Sequence, residues 1–262
     1  SSDLQALARC VCGGDFLQGR GSCEARGRRG HVGGLPRQPA GAEFAARLTA
    51  RNHTATHLLN LALRENLGAH IDQKGSLVDD HRFRFDFAHN QPVSGPELEH
   101  VEQHVQRQIA ANLTVYAETA PLYVAKSIAG LRAVFGETYP DPVRVVSIGQ
   151  PVQDLLDSPA NPAWNELSVE FCGGTHVEST KQIGAFAIIS EEAVAKGVRR
   201  ITAVTGEGAK QANLLAEKLA SRLAGAATLP DGSEGGEEGG TQDGEGGSET
   251  SAGPSGNTAD ES

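Results

Sequence analysis

The 262-residue chain contains no methionine, one tryptophan and three tyrosines. It has no apolar run near the ~18 residues that a membrane-crossing helix requires; its longest apolar blocks are short, such as Ala185 to Ile189. The first thirty residues hold no continuous apolar stretch, so no secretory signal is expected there. Cysteine is scarce: Cys10, Cys12, Cys23 and Cys172. Three thiols confined to the first 23 residues cannot staple the rest of the chain, and reduced thiols are expected. Together these absences predict a soluble intracellular protein with no membrane partner. The default compartment is cytoplasmic. Mitochondrion or chloroplast is the alternative, because the N-terminal stretch carries more arginine than acid, as organellar transit peptides do.

Positive charge is missing from one end. Nine of the net ten negative charges lie between Asp231 and Ser262, a stretch without Lys or Arg. Residues 1–230 therefore carry only −1, and a local basic face for RNA is not excluded by the acidic total. Composition divides the chain into four segments. Residues 1–44 are Gly/Arg-rich and read as disordered or poorly folded; Cys10, Cys12, Cys23 and His31 within them match no common metal spacing. Residues 45–206 read as a folded domain, and 207–226 as a helix resembling the start of a coiled coil. Residues 227–262 form an acidic Gly-rich tail that buries too little apolar surface to offset its ordering entropy.

Within the folded segment, residues 45–67 carry leucines near helical spacing, with Gly68 as the cap. Phe83, Phe85 and Phe87 alternate with Arg82, Arg84 and Asp86, a half-buried strand paired across an Asp79-Asp80 turn with a shorter one. Ser94 and Glu97 form a capping box ahead of a helix with the stripe Leu98, Val101, Val105 and Ile109. Strands are expected at Thr114–Thr119, Val143–Ile148, Leu167–Phe171, Ile183–Ser190 and Val198–Val204, and a helix near Pro121–Leu131. Without a repeating βαβ period, the fold class is α+β, with a mostly antiparallel sheet packed with helices.

The chemistry gathers in two short motifs. His53 and His57 lie at i and i+4, one turn apart on one helix face, where both imidazoles can reach one ion. Position 54 is Thr, so the motif differs from the metalloprotease pattern with its adjacent Glu. Cys172 and His176 repeat the separation in Cys-Gly-Gly-Thr-His, after a strand. One thiolate and three imidazoles are a nitrogen and sulfur set suited to Zn²⁺ rather than Mg²⁺ or Ca²⁺. Spacing alone leaves a second reading open for each motif: two packed histidines, and a strand-to-loop turn.

Four motifs in one order, Arg51-Asn-His-Thr-Ala-Thr-His57-Leu, Gln73-Lys-Gly-Ser-Leu77, Arg84-Phe-Asp-Phe87 and Cys172-Gly-Gly-Thr-His176, resemble the alanyl-tRNA synthetase editing domain. The free-standing AlaX trans-editing proteins share that fold, as do threonyl-tRNA synthetases more distantly. The resemblance runs from about Leu48 to Gly206, and Gly-Gly-Thr between Cys172 and His176 favours the alanyl branch. It implies a zinc site of His53, His57, Cys172 and His176 at the centre of the fold. It further implies an aminoacyl-tRNA deacylase that removes serine or glycine from the 3′ end of alanine tRNA. Gln73 falls where the family has a polar pocket residue and is the candidate catalytic side chain; Thr56 and Thr175 are candidate substrate-binding hydroxyls.

Four protein ligands make a closed zinc site, the usual mark of a structural metal. A loose ligand, five-coordination, or zinc that binds the substrate's amino group or organises the pocket would each reconcile this with hydrolysis. The chain has no recognisable aminoacylation core or ATP-binding motif. The glycine-rich β-barrel that precedes the domain in the family is also unrecognisable. Association with a synthetase body is therefore possible, and the alternative function is a non-catalytic, zinc-stabilised tRNA-binding module.

Overall fold

The computed structural model describes residues 40–134 and 136–227. The expectations for the N-terminal segment, its Cys10/Cys12/Cys23/His31 group and the acidic tail lie outside the described residues. Among the described residues, those up to 221 form one compact unit and those from 222 belong to a second.

Helix α1 (Ala40–Leu67) is the long axis of the first unit. From residue 52 to 63 every side chain is buried, because different faces of the helix meet different layers. It ends where expected: Gly68 adopts φ 115°, and its N–H donates to the Arg64 carbonyl. Strands β1 (Gln73–Val78) and β2 (Phe83–Ala88) follow as an antiparallel hairpin. The alternation at β2 is realised, with Phe83, Phe85 and Phe87 fully buried. Helix α2 (Gly95–Ala110) carries both hydrogen bonds of the Ser94/Glu97 capping box and buries Val101, Val105 and Ile109; Leu98 packs at the edge of the same core.

The remaining strands are β3 (Val115–Ala120), β4 (Val143–Ile148), β5 (Ser168–Phe171), β6 (Phe186–Ala195) and β7 (Val198–Thr205). They form two sheets, ordered β1-β2-β7-β6 and β3-β4-β5, and every strand pair is antiparallel. The α+β class with antiparallel sheets therefore holds. One core joins α1, α2 and the inner face of the four-stranded sheet. A second joins the three-stranded sheet to two short helices, α3 (Leu122–Ala125) and α4 (Val152–Asp157). The last helix, α5, runs Gly206–Ala227.

Two local expectations are corrected, and one helix is unexpected. The helix near Pro121–Leu131 is a single turn, because Ser127 bonds back to the Val124 carbonyl and Gly130 turns the chain with φ 74°. The strand beginning at Ile183 starts instead at Phe186. Residues Thr180–Ile183 form a 3₁₀ turn, pinned where the Thr180 hydroxyl donates to the Gln108 carbonyl. Helix α4 has no counterpart in the sequence reading; six residues with only Val152 and Leu155 buried give too short a pattern to register.

The phenylalanine row of β2 is the largest apolar block in the first core. Phe85→Ala is expected to cost about 3–5 kcal/mol, read as a lower denaturant midpoint with an unchanged slope.

Candidate metal centre

Helix α1 presents four residues on one face: His53, His57, Asn60 and Arg64, spaced four, three and four. Strand β5 ends at Phe171, directly before Cys172, and the following turn brings back His176. The structure unites His53, His57, Cys172 and His176, each offering one ligand atom within 4.8 Å of the others. Cys172 Sγ lies 3.3 Å from His53 Nε2 and 3.4 Å from His176 Nε2. A tetrahedral zinc centre has ligand–ligand edges of roughly 3.3–3.6 Å, so the set fits after a contraction of about 1 Å at its widest.

The surroundings fix which nitrogens face inward. His53 Nδ1 lies 3.1 Å from the Thr175 carbonyl, which can only accept, so Nδ1 carries the proton and Nε2 a lone pair. Thr54 performs the same service for His176. Its hydroxyl donates to the Ala50 carbonyl at 3.0 Å and accepts from the Val177 N–H at 3.2 Å. The remaining lone pair takes the proton of His176 Nδ1, 3.1 Å away. Neither ring nitrogen of His57 has a hydrogen-bond partner among the described residues. Inward lone pairs around a thiol with one proton are over-supplied with acceptors, and a bound cation removes that excess. Burial, reinforced by His57, His53 and Arg144, holds His176 well below the ordinary histidine value and so neutral as a ligand must be.

The turn is held from two sides. Arg144 of β4 donates from Nη1 to the carbonyls of Cys172 and Gly174, both at 2.8 Å. Gly174 lies against the His53 ring: a methyl group there would stand 2.6 Å from Nδ1 and closer still to Cε1. Gly173 has open space around its Cα. Close approach at the second glycine, and not the pair together, is what the motif requires.

A small cleft, lined by none of the four, meets the quartet at Glu170. Its lining includes Gln73, Asp72, Asn60, Arg132, Glu170 and Phe171. Glu170 joins the two features, since it is buried, accepts from Asn60 Nδ2 at 2.9 Å and lies 3.6 Å from His57 Nε2. Gln73, at the start of β1, borders the cleft and donates to the Ser76 hydroxyl at 3.2 Å. Thr56 is buried, and its hydroxyl donates to the Asn52 carbonyl within α1. Thr175 is exposed, and its carbonyl, rather than its hydroxyl, meets His53.

Sequence reasoning missed Glu170, Asn60, Thr54, Arg144 and Arg132. Two left a trace: Asn60 continues the His53/His57 helical face, and Glu170 sits two residues before Cys172.

Residues 143–202 match the family model described as the threonyl and alanyl tRNA synthetase second additional domain. Over 179 residues, 68% of this chain, the sequence is 56% identical to the alanine–tRNA ligase of Saccharomyces cerevisiae that is named mitochondrial. It is 52% identical over 178 residues to the ligase of Dictyostelium discoideum named cytoplasmic, and 48% identical over 167 residues to that of the bacterium Hydrogenovibrio crunogenus. The resemblance to the alanyl-tRNA synthetase editing domain is thereby shown. The matched segments are 18%, 19% and 17% of those relatives, so the chain spans less than a fifth of their length. No helix among the described residues is long and apolar enough to cross a membrane.

Two outcomes follow from this geometry. Gly174→Ala is expected to lower metal affinity about 10- to 100-fold by displacing His53, whereas Gly173→Ala leaves it near wild type; chelator competition measures both. His176 is depressed in the fold, so below the ordinary value of 6.5 the unfolded chain binds more protons. Stability of the metal-free protein is then fully present above that pH and lost as pH falls. Denaturant midpoints of chelator-treated protein should drop between pH 7.5 and 5.5, and equal midpoints would refute it.

Proposed function

We propose that the chain is a zinc-dependent proofreading hydrolase that cleaves the ester joining serine or glycine to the 3′ end of alanine tRNA. The supporting observation is that the metal quartet and a cleft lined by Gln73 meet at one side chain, Glu170. A site of this kind meets a physical need. A pocket for alanine discriminates against glycine, or against an added hydroxyl, by only ~1–3 kcal/mol, and a second hydrolytic site supplies the remainder.

His53, His57, Cys172 and His176 are the zinc ligands in this reading, and bound zinc would supply a Lewis acid that organises the aminoacyl end. The chain's own groups carry the proton. Glu170, steadied by Asn60, accepts a proton from the attacking water as the new C–O bond forms at the ester carbonyl. It returns that proton to the ribose oxygen as the ester C–O bond breaks. Gln73 orients the substrate in the cleft. Of the two candidate substrate-binding hydroxyls, that of Thr175 is accessible, whereas that of Thr56 is buried and donates to the Asn52 carbonyl. Since the chain spans less than a fifth of the ligases it matches, we further propose that it works as part of, or beside, a synthetase body that docks the tRNA.

One observation favours a second reading, a non-catalytic zinc-stabilised tRNA-binding module: four protein ligands close a zinc centre. Deacylation of seryl- and alanyl-tRNA by the purified, zinc-loaded chain separates the two. Selective release of serine is expected, abolished with the metal in Cys172→Ala. Glu170→Gln should keep zinc yet lose about 10²–10⁴-fold in turnover. Stoichiometric zinc with no hydrolysis of either substrate would establish the module, and wild-type turnover in Glu170→Gln would remove the carboxylate from its role.

A further inference from the structure

Beyond the quartet, the α1 face ends in a charged feature that the hydrolytic chemistry does not use. Arg132 lies in the segment that follows α3 and runs alongside β5: its N–H donates to the Val169 carbonyl, and its carbonyl accepts from the Phe171 N–H. Its side chain lines the cleft beside Glu170. Arg64, one helical turn beyond Asn60, lies near enough for the two cations to disfavour one another. Both Nε atoms are buried without a hydrogen-bond partner, and neither guanidinium forms an ion pair within 4.0 Å among the described residues.

Burial lowers both, Arg64 to about 10, and the Glu170 carboxylate offsets this only partly. Glu170 is already held by Asn60, and the other nearby acids are engaged as well: Asp72 pairs with Lys74 at 2.8 Å and Glu65 with His104 at 3.3 Å. Two half-buried guanidiniums with unpartnered Nε–H donors, one of them on the cleft wall, form a receptor for an anion.

Resting on the reading above, the choice of anion is narrow. A nucleotide ester held with its aminoacyl group at the quartet presents a neutral ribose and a neutral base. Its nearest negative charge is the phosphate on the 5′ side of the terminal nucleoside. We propose that Arg132, supported by Arg64, binds the phosphate of the 3′-terminal nucleotide and so sets the depth at which the ester enters the cleft.

The test uses a non-hydrolysable probe, 3′-serylamido-3′-deoxyadenosine, with and without a 5′-phosphate, titrated against the zinc-loaded chain. Wild type should bind the phosphorylated probe at least ~10-fold more tightly, as a charge-assisted contact predicts. Arg132→Gln should lose that preference while its affinity for the unphosphorylated probe and its zinc content stay unchanged. Arg132→Lys should retain part of the preference, which separates loss of charge from loss of fold. Equal binding of both probes by wild type, or an equal loss for both in Arg132→Gln, would overturn the phosphate assignment. Because the readout is binding, a chain that prefers the phosphorylated probe yet hydrolyses no seryl-tRNA would overturn only the hydrolytic reading.

Discussion

Everything functional in this domain depends on holding a five-residue turn against a helix more than a hundred residues away in sequence. The turn from Cys172 to His176 meets α1 at His53, touched by Cys172, Gly174 and the Thr175 carbonyl, and at Thr54, touched by His176. A single threonine hydroxyl satisfies three groups there, two from the turn and one from its own helix. With one donor and two acceptor sites, that hydroxyl has no capacity left. This hydroxyl sets the His176 ring and the Thr175 carbonyl sets the His53 ring, both by uncharged contacts, and the electron-rich centre is left for a cation.

Two layers, joined where Ile148 of β4 enters the first core and Val115 of β3 packs against it, meet at this point. The four-stranded sheet and α2 fix α1 through the phenylalanines of β2, whereas the three-stranded sheet delivers β5 and the turn. Arg144 ties the turn to β4, so the ligands contributed by β5 move with the second layer. Neither layer alone holds more than half of the ligand set. The four-residue cluster consequently joins the layers as well as being a candidate working part, and both readings of its purpose draw on the same four side chains.

What could be read from sequence followed periodicity and local chemistry. The alternation of β2, the Ser94/Glu97 box and the Gly68 cap each involve contacts within a few residues, and each appears as expected. The His53/His57 and Cys172/His176 pairs were legible because each is a local repeat of four. Glu170 was not, since its partners Asn60 and His57 lie 110 and more residues away, and a single acid in a strand carries no periodic signal. Arg132 was hidden for a related reason: its place beside β5 comes from an isolated bridge to Glu170, not from a strand of its own. The helix expected near Pro121–Leu131 failed because Ser127 and Gly130 end it after one turn, against an apolar pattern that would carry it further.

The face of α1 that carries His53, His57, Asn60 and Arg64 also behaves as a ruler. Each residue of an α-helix advances about 1.5 Å and turns about 100°, so the spacing between ligand, carboxylate anchor and cation is written in residue numbers. Adding or removing one residue between His57 and Asn60 would leave the helix and the metal ligands intact while swinging the rest of the face a quarter-turn away. Length variation in this domain is thus better tolerated in turns that bear neither a quartet residue nor a cleft residue. Inside this stretch of helix it would disconnect the cleft from the metal in a single step.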